Sequence, residues 1–498
     1  MAVERRHYQF GPLEQRGVII GLRGGQVGIL ATAAVIAVGL FRTGGGPGLL
    51  LALAVCSVGT AAAFVPVRGA TLEQWTPTLL QWGSGAGRRR WLIDRPGPRP
   101  RPGPARRVAR ARTAPPPRVP RTLDGLAILE VVAAGQDEPI GILRDRRAGT
   151  FSVVLDVRGG AFALLDVADK ERRLATWATV LASLGRTGSA IARIQWIERT
   201  FPAGSNRLPL PPATLTAGCP PPACRESYSE LLDEAGPATQ EHETLLIVTM
   251  RARDVSRAAR ARRAEGGLEG AIAAVAAREV RLLQGHLRTA DLTVERVLGA
   301  AAYAQALRRS FAEQPQSDPS HARRGGASWP WPVATEATWA SYRTDGTWHA
   351  TYWVADWPRA EVGPDFLAPL ILQSSGRRTV SLTMAPTNPL EAARSVEAAK
   401  TADAADSELR RRAGFLNSAR RQRESQHLLR RETELAEGHA DYRFSGFVTV
   451  TAPDPDGLQQ SCAEVEQLAH QAHLELRRLY GRQDAAFTWT LPLGRGLG

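Results

Sequence analysis

Two uncharged apolar runs dominate the start of the chain. Gln26 to Phe41 reads QVGILATAAVIAVGLF and Gly48 to Val67 reads GLLLALAVCSVGTAAAFVPV. The second extends about 30 Å as a helix, the thickness of a hydrocarbon core. The first gains length from Gly24, Gly25 and Thr43 at its ends. RTGGGP (Arg42–Pro47) between them is rich in breakers, so 26–67 (helices at 26–41 and 48–67) reads as a transmembrane hairpin. A buried soluble hairpin and a cleaved signal peptide fit less well, because a second run follows the first and arginines flank the pair. Arg5, Arg6, Arg16 and Arg23 precede the hairpin, Arg68 and Arg88–Arg90 follow it, and the loop holds only Arg42. The positive-inside pattern predicts a two-helix protein of the cytoplasmic (inner) membrane with both termini, including segment 1–25, in the cytoplasm.

Past the hairpin the pattern becomes mixed. Segment 68–95 spaces Leu72, Trp75, Leu79, Leu80 and Trp82 among polar residues and ends in GRRRW (Gly87–Trp91). This reads as an interfacial basic segment in contact with anionic lipid, through Arg68, Trp75, Trp82, Arg88, Arg89, Arg90 and Trp91. Pro77 predicts that no uninterrupted helix runs through it unless one begins there. Residues 96–121 form a Pro/Arg-rich linker, with nine prolines from Pro96 to Pro120.

Two α/β regions then follow, 122–313 and 333–498, around a Pro/Ser/Gly-rich linker at 314–332. In the first, strands are expected at Leu126–Val132, Ile140–Arg144, Phe151–Val157, Phe162–Leu165, Ala190–Arg199 and Leu245–Met250. Helices are expected at Ala168–Leu184, N-capped by Asp166, and near Leu268–Leu287 and Val294–Arg309. Trp177 and Trp196 read as core. In the second region, Thr344-Asp345-Gly346 between aromatic runs signals a hairpin, and a strand is expected at Arg378–Met384. Asn388-Pro389-Leu390-Glu391 is a helix start, opening a long helical hairpin over 389–437 whose second arm is arginine-rich. Strand Arg443–Thr451, helix Leu458–Tyr480 and strand Ala486–Leu491 complete the chain. The last strand–helix–strand unit resembles the one around Phe162–Arg199, which suggests an internal duplication. The predicted class is therefore a membrane-anchored α/β protein, with an N-terminal transmembrane helical hairpin and α+β modules carrying a long helical hairpin.

Composition narrows the chemistry. The net charge of +14 is concentrated between Arg88 and Arg121, which holds twelve arginines and one acid, so a basic surface over the whole body is not expected. Nucleic acid is a less favoured partner than lipid even for that stretch, because it lacks interleaved aromatics for stacking. Lys170 and Lys400 are the only lysines, and neither follows a glycine-rich turn, so phosphate-loop chemistry is excluded. Cys219 and Cys224 lack two further zinc ligands nearby, and His470 and His473 lack an accompanying carboxylate pattern. No catalytic, metal-binding or cofactor-binding residue is nominated, and no enzyme is expected.

DWPRAEVGPDFLAPLI (Asp356–Ile371), the helical hairpin, RFSGFVTVTA (Arg443–Ala452) and FTWTLPLGRG (Phe487–Gly496) resemble the non-ATPase N-terminal domain of TraC-like ATPases of conjugation and type IV secretion. In that family an LP-containing segment leads into a nucleotide-binding domain. Here the sequence stops at Gly498, where that domain would begin, and the missing phosphate loop removes ATPase activity. The membrane hairpin is similar to the two-helix subunits that accompany those ATPases. The layout also resembles an actinobacterial family of two-helix membrane proteins of conjugative elements and, more distantly, EccE of type VII secretion. The resemblance implies a non-catalytic subunit of a membrane transfer machine, working as a homo- or hetero-oligomer that docks a partner ATPase.

Overall fold

A computed structural model describes residues 24–43, 45–65, 71–85, 90–92, 119–132, 138–160, 162–185, 189–202, 240–261, 267–312, 329–358, 361–373, 376–412 and 419–497. Two helices come first, α1 (Gly24–Thr43) and α2 (Gly45–Phe64), followed by α3 (Leu72–Ser84). α3 runs unbroken through Pro77, against the expectation from sequence. Proline there removes one backbone bond near the helix start, and packing of the flanking side chains outweighs the loss.

Among the described residues the body is built on an antiparallel sheet of thirteen strands. β1 (Arg90–Leu92) lies at one edge. β2 (Leu126–Val131), β3 (Ile140–Asp145), β4 (Thr150–Gly159), β5 (Ile191–Pro202), β6 (Gln240–Arg251) and β7 (Leu292–Val297) form one half. β8 (Ala334–Ala337), β9 (Tyr342–Thr344), β10 (Thr347–Asp356), β11 (Arg377–Pro386), β12 (Tyr442–Ala452) and β13 (Glu475–Arg478) form the other. The halves repeat one topology. In the first, β4, α4 (Val167–Leu184), β5, β6, the helix pair α5 (Ala252–Ala261) and α6 (Gly267–Thr289), and β7 pair in the spatial order β7·β4·β6·β5. In the second, β10, α8 (Ala368–Leu372), β11, β12, α11 (Pro455–Gln471) and β13 pair in the order β13·β10·β12·β11. Each is a βαββαβ, ferredoxin-like unit. Hairpin partners β3 and β9 pair with the starts of β4 and β10 in the same way. The two units join edge to edge through β5 and β11, from Thr200↔Arg378 to Ile194↔Met384.

The duplication expected from sequence does not hold for the units named, since a predicted strand is missing from each; what repeats is the topology, with β12–α11–β13 corresponding to β6–α6–β7. Phe162–Leu165 is not a strand, since Phe162–Leu164 forms a 3-10 turn that leads to the Asp166 cap. That cap is observed, with Asp166 accepting from Asp169 N–H at 2.7 Å. The helix expected over Val294–Arg309 is β7 followed by α7 (Ala300–Phe311), because 292–297 completes the ladder beside β4. The helix expected over Leu458–Tyr480 stops at Gln471, where His473 turns left-handed (φ 55°) and the chain returns as β13. Ala486–Leu491 is not a strand either. It is α12 (Gln483–Phe487) followed by successive turns, Trp489 N–H bonding Ala486 C=O and Thr490 N–H bonding Phe487 C=O.

The helical hairpin is observed as α9 (Pro389–Arg412) and α10 (Ala419–Ala436). Asn388 Oδ1 accepts from Leu390 N–H at its start. Ala392, Val396 and Ala399 are buried on α9, and Lys400–Glu432 and Ser425–Asp403 link the two arms. Asp345 and Gly346 supply the two left-handed residues of the β9–β10 turn (φ 47° and 98°), as the TDG motif predicts.

The sheet has two unlike faces. One is apolar: Val153, Leu155, Leu246 and Val248 pack against Val180 and Leu184 of α4 and Ile272, Val280 and Leu283 of α6. Trp177 and Trp196 meet edge to face beside this core, at 5.6 Å between ring centres. In the second unit Tyr352, Val448 and Val450 pack against Leu458, Cys462 and Val465 of α11. The other face is apolar beside α7, where Val154, Ile197 and Ile247 meet Tyr303, Leu307 and Phe311. Between the two units it is polar, lined by Ser152, Gln195, Thr249, Thr351, Ser381, Thr383 and Thr449.

Candidate membrane-docking site

α1 and α2 lie side by side on small residues. Ala33, Ala37, Ala52 and Ala63 are buried between them, and a Cβ on Gly59 would sit 2.5 Å from the Ala33 methyl. Gln26 Nε2 donates to Ala63 C=O at 3.0 Å, closing the end where α1 begins and α2 finishes. The outer surface is the reverse of a soluble helix pair. Val35, Leu50 and Val58 are exposed by 73%, 71% and 69%, and both helices are long and apolar enough to cross a membrane. A soluble protein would bury such helices in its core, whereas lipid solvates them directly. Small residues at the helix contact and large apolar ones outside match packing in a bilayer.

α3 connects this hairpin to the sheet. Glu73 Oε1 accepts from Gly25 N–H at 3.1 Å, where the α1 macrodipole favours a carboxylate. One side of α3 docks on the second unit. Trp75 stacks on Trp339 at 5.7 Å and lies 6.0 Å from Tyr480, and Trp82 meets Trp339 edge to face at 5.5 Å. Thr78 between them is buried against Gly481. Gly481 holds φ 71°, its N–H donates to Trp339 C=O at 2.7 Å, and a Cβ there would lie 2.7 Å from the Trp339 ring. β1 follows and adds a strand to β8, with Arg90 opposite Glu336 and their side chains 2.7 Å apart. Two separate contacts thus fix the membrane-proximal segment to the sheet.

Among the residues expected to contact lipid, Trp75 and Trp82 are in this aromatic cluster, Arg90 and Trp91 are on β1, and Arg68, Arg88 and Arg89 lie outside the described residues. Trp339, Tyr480 and Gly481 complete the cluster from hundreds of residues away. No local signal marked them, beyond the aromatic content of the Trp329–Trp357 stretch. Cys219 and Cys224 also lie outside the described residues. Cys56 is exposed on α2 and Cys462 is buried in α11. His470 and His473 sit at the end of α11, and among the described residues no set of three metal-ligating side chains converges.

A second constellation holds the C-terminal segment across the polar face between the units. Gln195 Nε2 donates to Trp489 C=O at 2.9 Å and Leu491 C=O at 3.1 Å, while its Oε1 accepts from Gly494 N–H at 2.8 Å. Ser381 donates to Trp489 C=O and Thr383 to Arg495 C=O. Arg495 pairs with Asp145 and donates to Thr122 C=O, tying the segment to the start of the body. Nearby, His349 is fully buried between Thr344, Thr347 and Thr451. Burial, and secondarily Arg377, keep this imidazole well below its ordinary pKa. These groups read backbone atoms and one another, which is a structural role.

Residues 238–354 match the family EccE, described as a type VII ESX secretion system translocon. The stretch begins just before β6, passes through α7 and ends in β10, so it spans parts of both units and includes Trp339. It is a distant relation to secretion-system proteins, covering less than half of the chain. With the two exposed apolar helices it supports a membrane location. No curated protein matches the chain.

Proposed function

We propose that this chain is a non-catalytic subunit of a conjugation- or secretion-type transfer machine in the cytoplasmic membrane, where its body scaffolds a partner ATPase on the cytosolic side. The observation that carries the reading is the joint at the base of the hairpin: two helices long and apolar enough to cross a membrane pass, through α3 and β1, onto the edge of one continuous sheet. A tethered enzyme gains little from such a joint, whereas a scaffold needs its docking faces held at a fixed angle to the bilayer. The EccE match supports the same reading. The solvated arms α9 and α10, with few buried apolar residues, are the favoured ATPase contact. Lipid is the favoured partner of Arg68 and the Arg88–Arg90 cluster.

The test is affinity purification of the intact protein from its native membranes in mild detergent. Stoichiometric recovery of a secretion-type ATPase, lost when α9 and α10 are replaced by a short turn, supports the proposal. A monodisperse preparation without partners overturns it.

A further inference from the structure

α3 turns an aromatic side to the body and leaves two leucines uncovered. Trp75, Thr78 and Trp82, at i, i+3 and i+7, face Trp339, Tyr480 and Gly481. Leu79, on the flank beside Trp75, and Leu80, on the opposite side, are exposed by 49% and 69%. The position of that side identifies its occupant. Glu73 touches the first turn of α1, and Leu80 lies seven residues on, two turns along the same flank. Leu80 therefore lies on the flank of α3 that meets the hairpin, whose last residues Phe64 and Val65 are exposed as well.

We propose that Leu79 and Leu80 enter the boundary between headgroups and acyl chains at the end of the hairpin where α1 begins and α2 finishes, making α3 a clamp between bilayer and sheet. The inference rests on the hairpin spanning a membrane. It adds a lipid contact through residues distinct from the tryptophans, whose rings are occupied by the body. An amphipathic helix lying in the interface gains from burying such side chains a few ångströms deep. Here the aromatic side passes that constraint to the protein.

The experiment places single nitroxide labels on the full chain, with Cys56, Cys219, Cys224 and Cys462 replaced by serine. The labelled variants are Leu79→Cys, Leu80→Cys, Val58→Cys on α2 and Leu164→Cys on the body, all at exposed positions. The protein is reconstituted in nanodiscs of phosphatidylglycerol and phosphatidylcholine, and relaxation by oxygen and by a water-soluble nickel chelate is measured. The expected result is loss of nickel relaxation at 79 and 80 relative to 164, with depths shallower than at 58. Labels at 79 and 80 as nickel-accessible as at 164, with 58 shielded, overturn the clamp and leave the spanning hairpin intact. Nickel access at 58 overturns both.

Discussion

Gly481 shows how one residue decides whether the membrane segment is fixed. Its left-handed backbone disfavours any other residue, and a side chain would meet the Trp339 ring and the Thr78 methyl below 3 Å. Gly481→Val should cost about 1–3 kcal/mol locally, from strain and displaced packing. The expected outcome is faster amide hydrogen exchange in α3 with unchanged exchange in β12; equal exchange in both variants would refute the joint. His349 gives a pH prediction. Its folded pKa is depressed, so below about pH 6.5 the unfolded chain binds a proton that the folded chain does not. Stability therefore falls as pH drops below that point, by up to about 1.4 kcal/mol per pH unit from this group. His349→Gln should flatten the dependence of the urea midpoint between pH 6.5 and 5. The residues legible from sequence were those acting locally: Asp166 and Asn388 as caps, and Asp345-Gly346 as a turn. Gly481, His349 and Gln195 were not, because their partners lie far along the chain and only the fold brings them together.

At the level of elements, the apolar hairpin and α4, α6 and α9 were readable because their periodicity extends over many residues and their ends carry caps or breakers. Two of the errors share a cause. Leu476 and Leu479 continue a helical spacing, yet β10 needs an edge partner and takes Glu475–Arg478 as a strand. The alternation Phe487, Trp489, Leu491 reads as a strand, yet the carbonyls of Trp489 and Leu491 are taken by the Gln195 side chain and no ladder forms. Tertiary pairing overrode a short local pattern in both places. In the hairpin the pattern was correct and packing adds a prediction. Gly59 is the point of closest approach to Ala33, so Gly59→Leu should force α1 and α2 apart. Oxidative cross-linking between cysteines at Ala37 and Ala52, in a background lacking the other thiols, should then fall to near zero, while Gly59→Ala reduces it only partly.

For the whole molecule, the decisive contact is the one that makes two ferredoxin-like units a single sheet. β5 and β11 supply the backbone pairing, and the C-terminal segment lies over their junction, held by Gln195 from the first unit and by Ser381 and Thr383 from the second. If the units were merely tethered, each would unfold by itself. The continuous ladder and shared segment instead predict coincident urea transitions for hydrogen exchange in β4 and in β12. Gln195 is the residue to remove: it makes four bonds, three of them buried and one of them to Ser381, across the junction. Gln195→Ala leaves the Gly494 N–H without its partner, a loss of about 1–3 kcal/mol for the unsatisfied group, while the Trp489 and Leu491 carbonyls keep the Ser381 hydroxyl and the Leu493 N–H as donors. Both transitions should move to lower urea together. A shift confined to one unit would mean that the sheet does not transmit load between them, and a scaffold that fixes distant faces relative to the membrane requires that it does.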